Sequence, residues 1–282
     1  PTDHGMMTPP QIRKLLLDTP DPLQWDCFTF GIIQGEDRFT VYIAIDHLRA
    51  DGMSAGVIFL DIQTTYFSTL QSAPAELTAA ASHRQYCSNQ RAYAAGLDEE
   101  SPQILSWRAF LAANGGALPE FPLELGEASA DTPGAIDVFD LINEEQGRRF
   151  ESACRAAGAR FSGGVFACAA MAEHRLTGAA TYFGLTPFAN RRDPAFTTAV
   201  GWLATFVPLT IQTDGASFDD VVSCAQTSFD ANAALGAVPY YHLLEIPDPP
   251  SAPLAVPDRP VPMLSYIDIR KLPFSDYWDG LR

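Results

Sequence analysis

Asp46-His47-Leu48-Arg49-Ala50-Asp51-Gly52 is the stretch on which the reading of this chain turns. It follows two β-rich runs, Cys27 to Ile33 and Phe39 to Asp46, separated by Gln34-Gly35-Glu36-Asp37-Arg38. In the first run Phe28, Phe30 and Ile32 alternate with Thr29, Gly31 and Ile33; in the second, Val41, Ile43 and Ile45 alternate with Tyr42, Ala44 and Asp46. Alternation on both sides of a Gly-containing loop predicts a β-hairpin with apolar faces pointing into a core. His47 then stands at a strand end, where an imidazole can be presented in a cleft and exchange a proton near neutral pH. Asp51, four residues on across a tight turn, can fix that ring directly or tie the loop down through an arginine. Gly52 permits backbone angles closed to other residues and lets the next helix start close by. A purely structural His-Asp turn is the competing reading of these seven residues.

The flanks extend this pattern. Ser54 is expected to cap a helix on which Val57, Ile58, Ile62, Phe67 and Leu70 roughly follow a 3.6-residue period. Two further helices are predicted over His83 to Ala95 and Ser101 to Ala113. From Asn114 to Gly134 the composition turns to Gly, Pro, Ala and acidic residues without periodicity, as a linker does. This sets an N-terminal lobe at residues 1–118, a linker at 119–134 and a C-terminal lobe at 135–282. The second lobe should open with a strand from Ala135 to Ile142. Asn143 with Gln146 forms a capping-box pattern for a helix that runs to about Ala157 and stops at Gly158. A second helix over Ser162 to Leu176, strands over Thr181 to Ala189 and Leu203 to Thr213, and a long helix over Ser217 to Leu235 come next. Seven prolines make Ile246 to Pro262 a loop, and Met263 to Ile269 is expected to be a last strand. Strands and helices alternating in both halves predict an α/β sandwich in two lobes.

Composition narrows the function. The 282 residues carry 18 Lys and Arg against 34 Asp and Glu, a net charge of −16. Such a chain has no overall field to attract nucleic acid or an anionic membrane, although Arg191-Arg192 could hold a phosphate locally. No run of about 18 apolar residues is present to suggest a membrane span. The 5 cysteines are scattered, with no Cys-x-x-Cys pair, so neither a metal site nor a disulfide framework is read, and reduced thiols in a cytoplasmic protein are expected. The start, Pro1-Thr2-Asp3-His4, has neither Met nor a signal pattern and reads as an internal portion of a longer chain. His4 and His83 are expected at the surface, His174 on a buried-looking helix, His242 as a residue that could face a cleft, and Cys168 in the core. Arg148, Arg149, Arg155 and Arg160 read as a solvated helix face, with a phosphate site as the sharper alternative.

His47-Leu-Arg-Ala-Asp51-Gly52 resembles the His-His-x-x-x-Asp-Gly signature of the thioester-dependent acyltransferase superfamily. That superfamily includes chloramphenicol acetyltransferase, plant alcohol acyltransferases, nonribosomal-peptide condensation domains and the mycobacterial polyketide-associated (Pap) acyltransferases. Phe183-Gly-Leu-Thr-Pro-Phe-Ala-Asn190-Arg191 is similar to the family's strand ending in an Asn-Arg pair. Val200-Gly201-Trp202 with its following Pro-Leu strand, and Ser265-Tyr-Ile-Asp268-Ile-Arg270, resemble later strands of the same fold. Asp46 replaces the first histidine of the signature, a variant associated with the sugar-acylating Pap branch. The family's second signature, Asp-Phe-Gly-Trp-Gly, is absent, and Asp276-Tyr-Trp-Asp-Gly280 is a poor match to it.

The resemblance implies a two-lobe chloramphenicol-acetyltransferase-like α/β sandwich with its active site in a channel between the lobes. It implies transfer of a long-chain acyl group from a thioester, carried by CoA or by a polyketide synthase carrier, to a hydroxyl of a trehalose or trehalose-sulfate glycolipid precursor. His47 would be the general base. Asp51, paired with Arg191, and Gly52 would hold the site. Asp46, Asn190 and Gly201 are candidate substrate contacts, with a strand-end turn and a close backbone approach as the other readings of the last two. No enzyme nucleophile, bound cofactor or metal is expected. The implied partners are the acyl donor, the sugar or glycolipid acceptor and a polyketide synthase, with no nucleic acid. The implied location is the cytoplasm, with the inner membrane face as an alternative. Three other readings stay open: an amide-forming condensation domain, a non-catalytic member of the fold, and an unrelated two-lobe binding protein.

Overall fold

β1 (Phe28–Gln34) and β2 (Phe39–Ile45) pair antiparallel, Phe28 opposite Ile45 and Gln34 opposite Phe39. The Gly35 N–H closes the turn on the Arg38 carbonyl at 2.7 Å. These coordinates are a computed structural model that describes residues 2–18, 21, 23–24, 27–124, 126, 136–246 and 261–268. The hairpin register puts Gly31 opposite Tyr42, and the Tyr42 ring lies across the glycine: a Cβ at Gly31 would fall 2.2 Å from Cζ. The expectation of inward apolar faces needs correction. Phe28, Phe30 and Ile32 remain 43%, 52% and 66% exposed, and the half-buried positions of β1 are Thr29 and Gly31. A two-stranded ribbon has two faces, and the one carrying the aromatic residues is not fully covered.

A one-turn 3-10 helix, His47–Arg49, follows β2, and α2 (Gly52–Leu70) begins three residues later. Its N-cap is Asp51, whose carboxylate accepts from the Ser54 N–H at 2.8 Å; Ser54, expected to be the cap, lies inside the first turn. α3 (His83–Ala94) and α4 (Pro102–Ala113) form within a residue of their predicted limits. The sequence reading passed over α1 (Pro9–Asp18), a helix without buried residues.

Residues 136–142 were expected to form a strand and do not. Ile136, Val138, Phe139 and Leu141 are 76–93% exposed, and no described strand pairs with them. Alternating apolar residues predict a strand only where a neighbour supplies the ladder. Then α5 (Glu144–Ala156) opens with the predicted Asn143/Gln146 capping box, and α6 (Phe161–Thr177) ends on Gly178 in the left-handed region. β3 (Thr181–Ala189) pairs with β4 (Ala204–Gln212). A second capping box, Ser217 with Asp220, starts α7 (Phe218–Asn232); a 3-10 turn over Ala233–Ala237 and α8 (Tyr240–Glu245) follow. The expected last strand is reduced to a single parallel bridge between Leu185 and Met263. Ile269, Arg270 and the stretch from Asp276 to Gly280 lie outside the described residues, as do 125 and 127–134 of the expected linker and Ala135 of the expected strand.

Among the described residues, contacts group the chain into two units: one from the first 89 residues with 189–204, the other from 90–188 with 205–268. The excursion between β3 and β4 therefore belongs with the N-terminal residues, a membership that division at a single point of the chain does not express. The first unit has a small apolar cluster of Tyr86, Phe196, Ala199 and Leu203. The second has two larger ones. Trp107, Phe110 and Leu111 of α4 meet Leu185 of β3 and Leu243 of α8 in one; Phe166 and Ala170 of α6 meet Leu209 and Ile211 of β4 and Val221 and Val222 of α7 in the other. Cys154 is buried in this second cluster, whereas Cys168, expected in the core, is exposed. The buried residues Phe166, Ala167 and Ala170 define the inner side of α6. Among the described residues no helix is long and apolar enough to cross a membrane.

Candidate active site

The Asp51 carboxylate is the hub of the first unit. Its Oδ1 accepts from the Ser54 N–H at 2.8 Å and from Arg191 Nη2 at 2.7 Å, and lies 2.7 Å from the Ser54 hydroxyl. Oδ2 accepts from the Leu203 N–H at 3.1 Å. Both charged side chains are buried, Arg191 6% and Asp51 3% exposed. Arg191 Nη1 also donates to the carbonyls of Phe196 at 2.9 Å and Ala199 at 2.6 Å. The Asp51–Arg191 pair implied by the resemblance is thus present, with both partners in one compact unit. Hydrogen bonds to a charged partner, such as the Arg191 donor here, are shorter and stronger than neutral ones, and this set fixes the carboxylate in one orientation.

Gly52-Met53-Ser54-Ala55-Gly56 has the Gly-x-Ser-x-Gly spacing of a hydrolase nucleophile elbow, which corrects the expectation that the chain lacks this pattern. Such an elbow exposes its serine on a strained strand-to-helix turn. Ser54 instead is fully buried, receives the Gly201 N–H at 3.1 Å, and has its hydroxyl within 2.7 Å of Asp51 and 2.9 Å of the Gly201 carbonyl. It is part of the scaffold.

His47 is exposed, on the first position of the 3-10 turn. The turn is capped by Asp46, whose Oδ1 accepts from the Leu48 N–H at 2.9 Å. The carboxylate expected as a substrate contact therefore shapes the turn that carries the imidazole. An aromatic contact holds the ring: its centroid lies 4.9 Å from that of Trp202, the planes inclined at 48°. His47 opens on a cavity of about 320 Å³ lined by Ile43, Ile45, Ala50, Asp51, Gly52, Ala55 and Ile58. A larger hollow of about 790 Å³ lies among residues 2–7, α1 and β1, and none of the motif residues lines it.

The other sequence-predicted residues serve this scaffold. Asn190 is buried; its side-chain amide donates to the Tyr86 hydroxyl at 3.1 Å, and its N–H to the Leu203 carbonyl at 3.0 Å. Burial raises the Tyr86 phenol above its ordinary pKa. Gly201 accepts the Asp51 N–H at 3.2 Å and lies against the ring of His83, so that a Cβ there would fall 2.5 Å from the imidazole carbons. His83, expected at the surface, is half-buried, and nothing in its local sequence signals this. His174 bonds the Ala179 carbonyl at 2.7 Å, and His242 lies 3.4 Å from Glu245. Arg155 and Arg160 form exposed ion pairs with Glu151 and Asp230, in keeping with a solvated face. Among the described residues no cluster of three or more His, Cys, Asp or Glu side chains could hold a metal ion.

The site comprises an exposed imidazole at an apolar cavity and, four residues on, a buried ionic hub that fixes the loop. The condensation-domain family matches residues 21–253 of this chain. Acyltransferase PapA3 of Mycobacterium tuberculosis is 42% identical over 276 residues, covering 98% of this chain and 58% of that protein. The 2'-acyl-2-O-sulfo-trehalose (hydroxy)phthioceranyltransferase PapA1 of the same organism is also 42% identical, over 98% of this chain and 53% of its own. Among solved structures, a PapA2 acyl transferase superposes with a TM-score of 0.91 at 41% identity, over 98% of this chain and 60% of that one. The chain spans between half and three-fifths of the length of these relatives.

Proposed function

Because the chain belongs to the condensation-domain family and falls with its Pap acyltransferases, we propose that it works in an enzyme that moves a long-chain acyl group from a thioester to a hydroxyl of a trehalose-type glycolipid precursor. The carrying observation is the exposed His47 at the mouth of an apolar cavity, on a turn anchored by the buried Asp51–Arg191 pair. His47 takes the proton of the acceptor hydroxyl as the oxygen attacks the thioester carbonyl. It then returns that proton to the departing thiolate. General-base catalysis of this kind contributes about 10²–10⁴ in rate. The remainder comes from holding donor and acceptor together, which converts a two-body encounter into a step within one complex.

The apolar wall of Ile43, Ile45, Ala55 and Ile58 suits the methylenes next to the thioester, each worth about 0.8 kcal/mol on burial. Asp51 acts as scaffold, since its acceptor positions are directed at Ser54, Leu203 and Arg191. The donor is a CoA or polyketide synthase thioester, both of which present the same pantetheine arm. The sulfated trehalose that PapA1 is named for supports a sugar acceptor. We place the reaction in the cytoplasm.

The test is to incubate the full-length protein with palmitoyl-CoA and, separately, trehalose, sulfated trehalose, a long-chain diol and an amine, and to read products by mass spectrometry. Acylated trehalose or its sulfate, lost in His47→Ala, is the expected result. Product formed equally by His47→Ala overturns the role of the imidazole. Amide product alone assigns the site to condensation.

A further inference from the structure

We propose that His83 is a positioning residue for His47, acting through Trp202; this rests on reading His47 as the base. The two histidines do not touch. His83 opens α3, and its Nε2 lies 3.1 Å from the carbonyl oxygen of Trp202, a donor distance when that nitrogen carries the proton. One side of its ring meets Gly201, where any side chain would collide. It also stacks on Tyr86, centroids 6.1 Å apart and planes at 14°. Tyr86 is in turn set by Asn190 and by the Leu203 carbonyl, 3.4 Å from its hydroxyl. The Cys87 thiol, one turn along α3, lies 3.7 Å from His83 Nε2.

His83 thus secures the backbone at residues 201–202 from one side, while Ser54 and Asp51 secure Gly201 from the other. Between these anchors Trp202 has little freedom. Its indole N–H donates to the Ala204 carbonyl at 2.9 Å, and its ring bears on His47. An exposed imidazole otherwise chooses among rotamers. The indole selects one by lying against the ring at a centroid distance of 4.9 Å. A base displaced by about 1 Å from its productive position loses about 10²-fold in rate. The pattern also explains why residue 201 is glycine: the imidazole of His83 occupies the space its side chain would need.

His83→Phe keeps a ring against Gly201 and Tyr86 but removes the donor, and His83→Gln keeps a donor of similar reach without the ring. The first readout is the imidazole carbon-proton signal of His47 in NMR spectra, assigned by its loss in His47→Ala and displaced by the indole ring current. The second is kcat and KM for palmitoyl-CoA. His83→Phe should move the His47 signal toward its unstacked position and lower kcat about 10–100-fold with KM unchanged, whereas His83→Gln retains the wild-type signal and most of kcat. A folded His83→Phe protein with the His47 signal and kcat of the wild type overturns the proposal. Should His83→Phe not fold, His83→Leu decides by the same signal, because a His47 signal left at its wild-type position there overturns the proposal equally. The spectrum needs no turnover. If the wild type transfers no acyl group, the acyltransferase reading fails while the signal still reports on positioning.

Discussion

The two compact units are stabilised by different physics. Around residues 51–54 and 189–204 the first unit relies on one buried carboxylate, one buried guanidinium and the backbone groups they satisfy, beside an apolar cluster of only four buried residues. The second unit buries two larger apolar clusters around β3 and β4 and has exposed capping boxes at the starts of α5 and α7. A polar hub fixes geometry through few, directional bonds, so the loss of one member leaves the others unsatisfied. An apolar cluster spreads its stabilisation over many small contacts. The candidate base is attached to the unit built the first way, where a loop must hold one conformation.

Asp51→Ala should have the largest effect on stability. Removing one partner of a buried pair leaves the other charge uncompensated at a cost of about 3–5 kcal/mol, here with a helix cap and the Leu203 N–H lost as well. Chemical denaturation measures it, and a loss under about 1 kcal/mol would break the contrast between the units. Asp51→Leu combined with Arg191→Met should cost less than the sum of the single changes, by a coupling of about 0.5–3 kcal/mol in a double-mutant cycle. In the second unit Leu209→Ala, at a fully buried position, should cost about 2–5 kcal/mol with cavity formation as its mechanism. Unlike Asp51→Ala, it should leave the NMR signal of His47 in place.

High pH should separate the units next. Tyr182, packed against the larger α6–α7 cluster, has its phenol pushed up to about 12 by burial, reinforced by the nearby Glu173 carboxylate. A pKa raised in the folded state contributes stability in full below the unfolded value near 10 and loses it as pH climbs through about 12. Wild type should therefore lose about 2–3 kcal/mol relative to Tyr182→Phe between those limits, read from denaturation midpoints at stepped pH. The smallest effect belongs to Asn143→Ala, which removes half of an exposed capping box for about 1 kcal/mol.

Local signals were legible in the sequence. The Asn143/Gln146 box, the limits of β3 and the stop at Gly158 depend on residues a few positions apart, and they appear as read. The Asp51–Arg191 pair joins positions 140 residues apart and was reached only through likeness to a family. The burial of His83 against Gly201 was invisible because its partners are more than a hundred residues away in sequence. Residues 136–142 failed for the related reason that a strand exists only with a neighbour. Ser54 is not the cap its residue type suggested: Asp51, three residues earlier, accepts from the Ser54 N–H and also pairs with Arg191, so one carboxylate does both.

That unladdered stretch, Ile136-Asp137-Val138-Phe139-Asp140-Leu141-Ile142, has a consequence for handling the protein. Its exposed apolar residues and high strand propensity are what copies of a chain need to stack on one another, and two aspartates are the charges that interrupt it. They act as gatekeepers. Neutralising either of them should raise the turbidity of the purified chain on standing, and a variant as clear as the wild type would show that the charges do not guard the stretch.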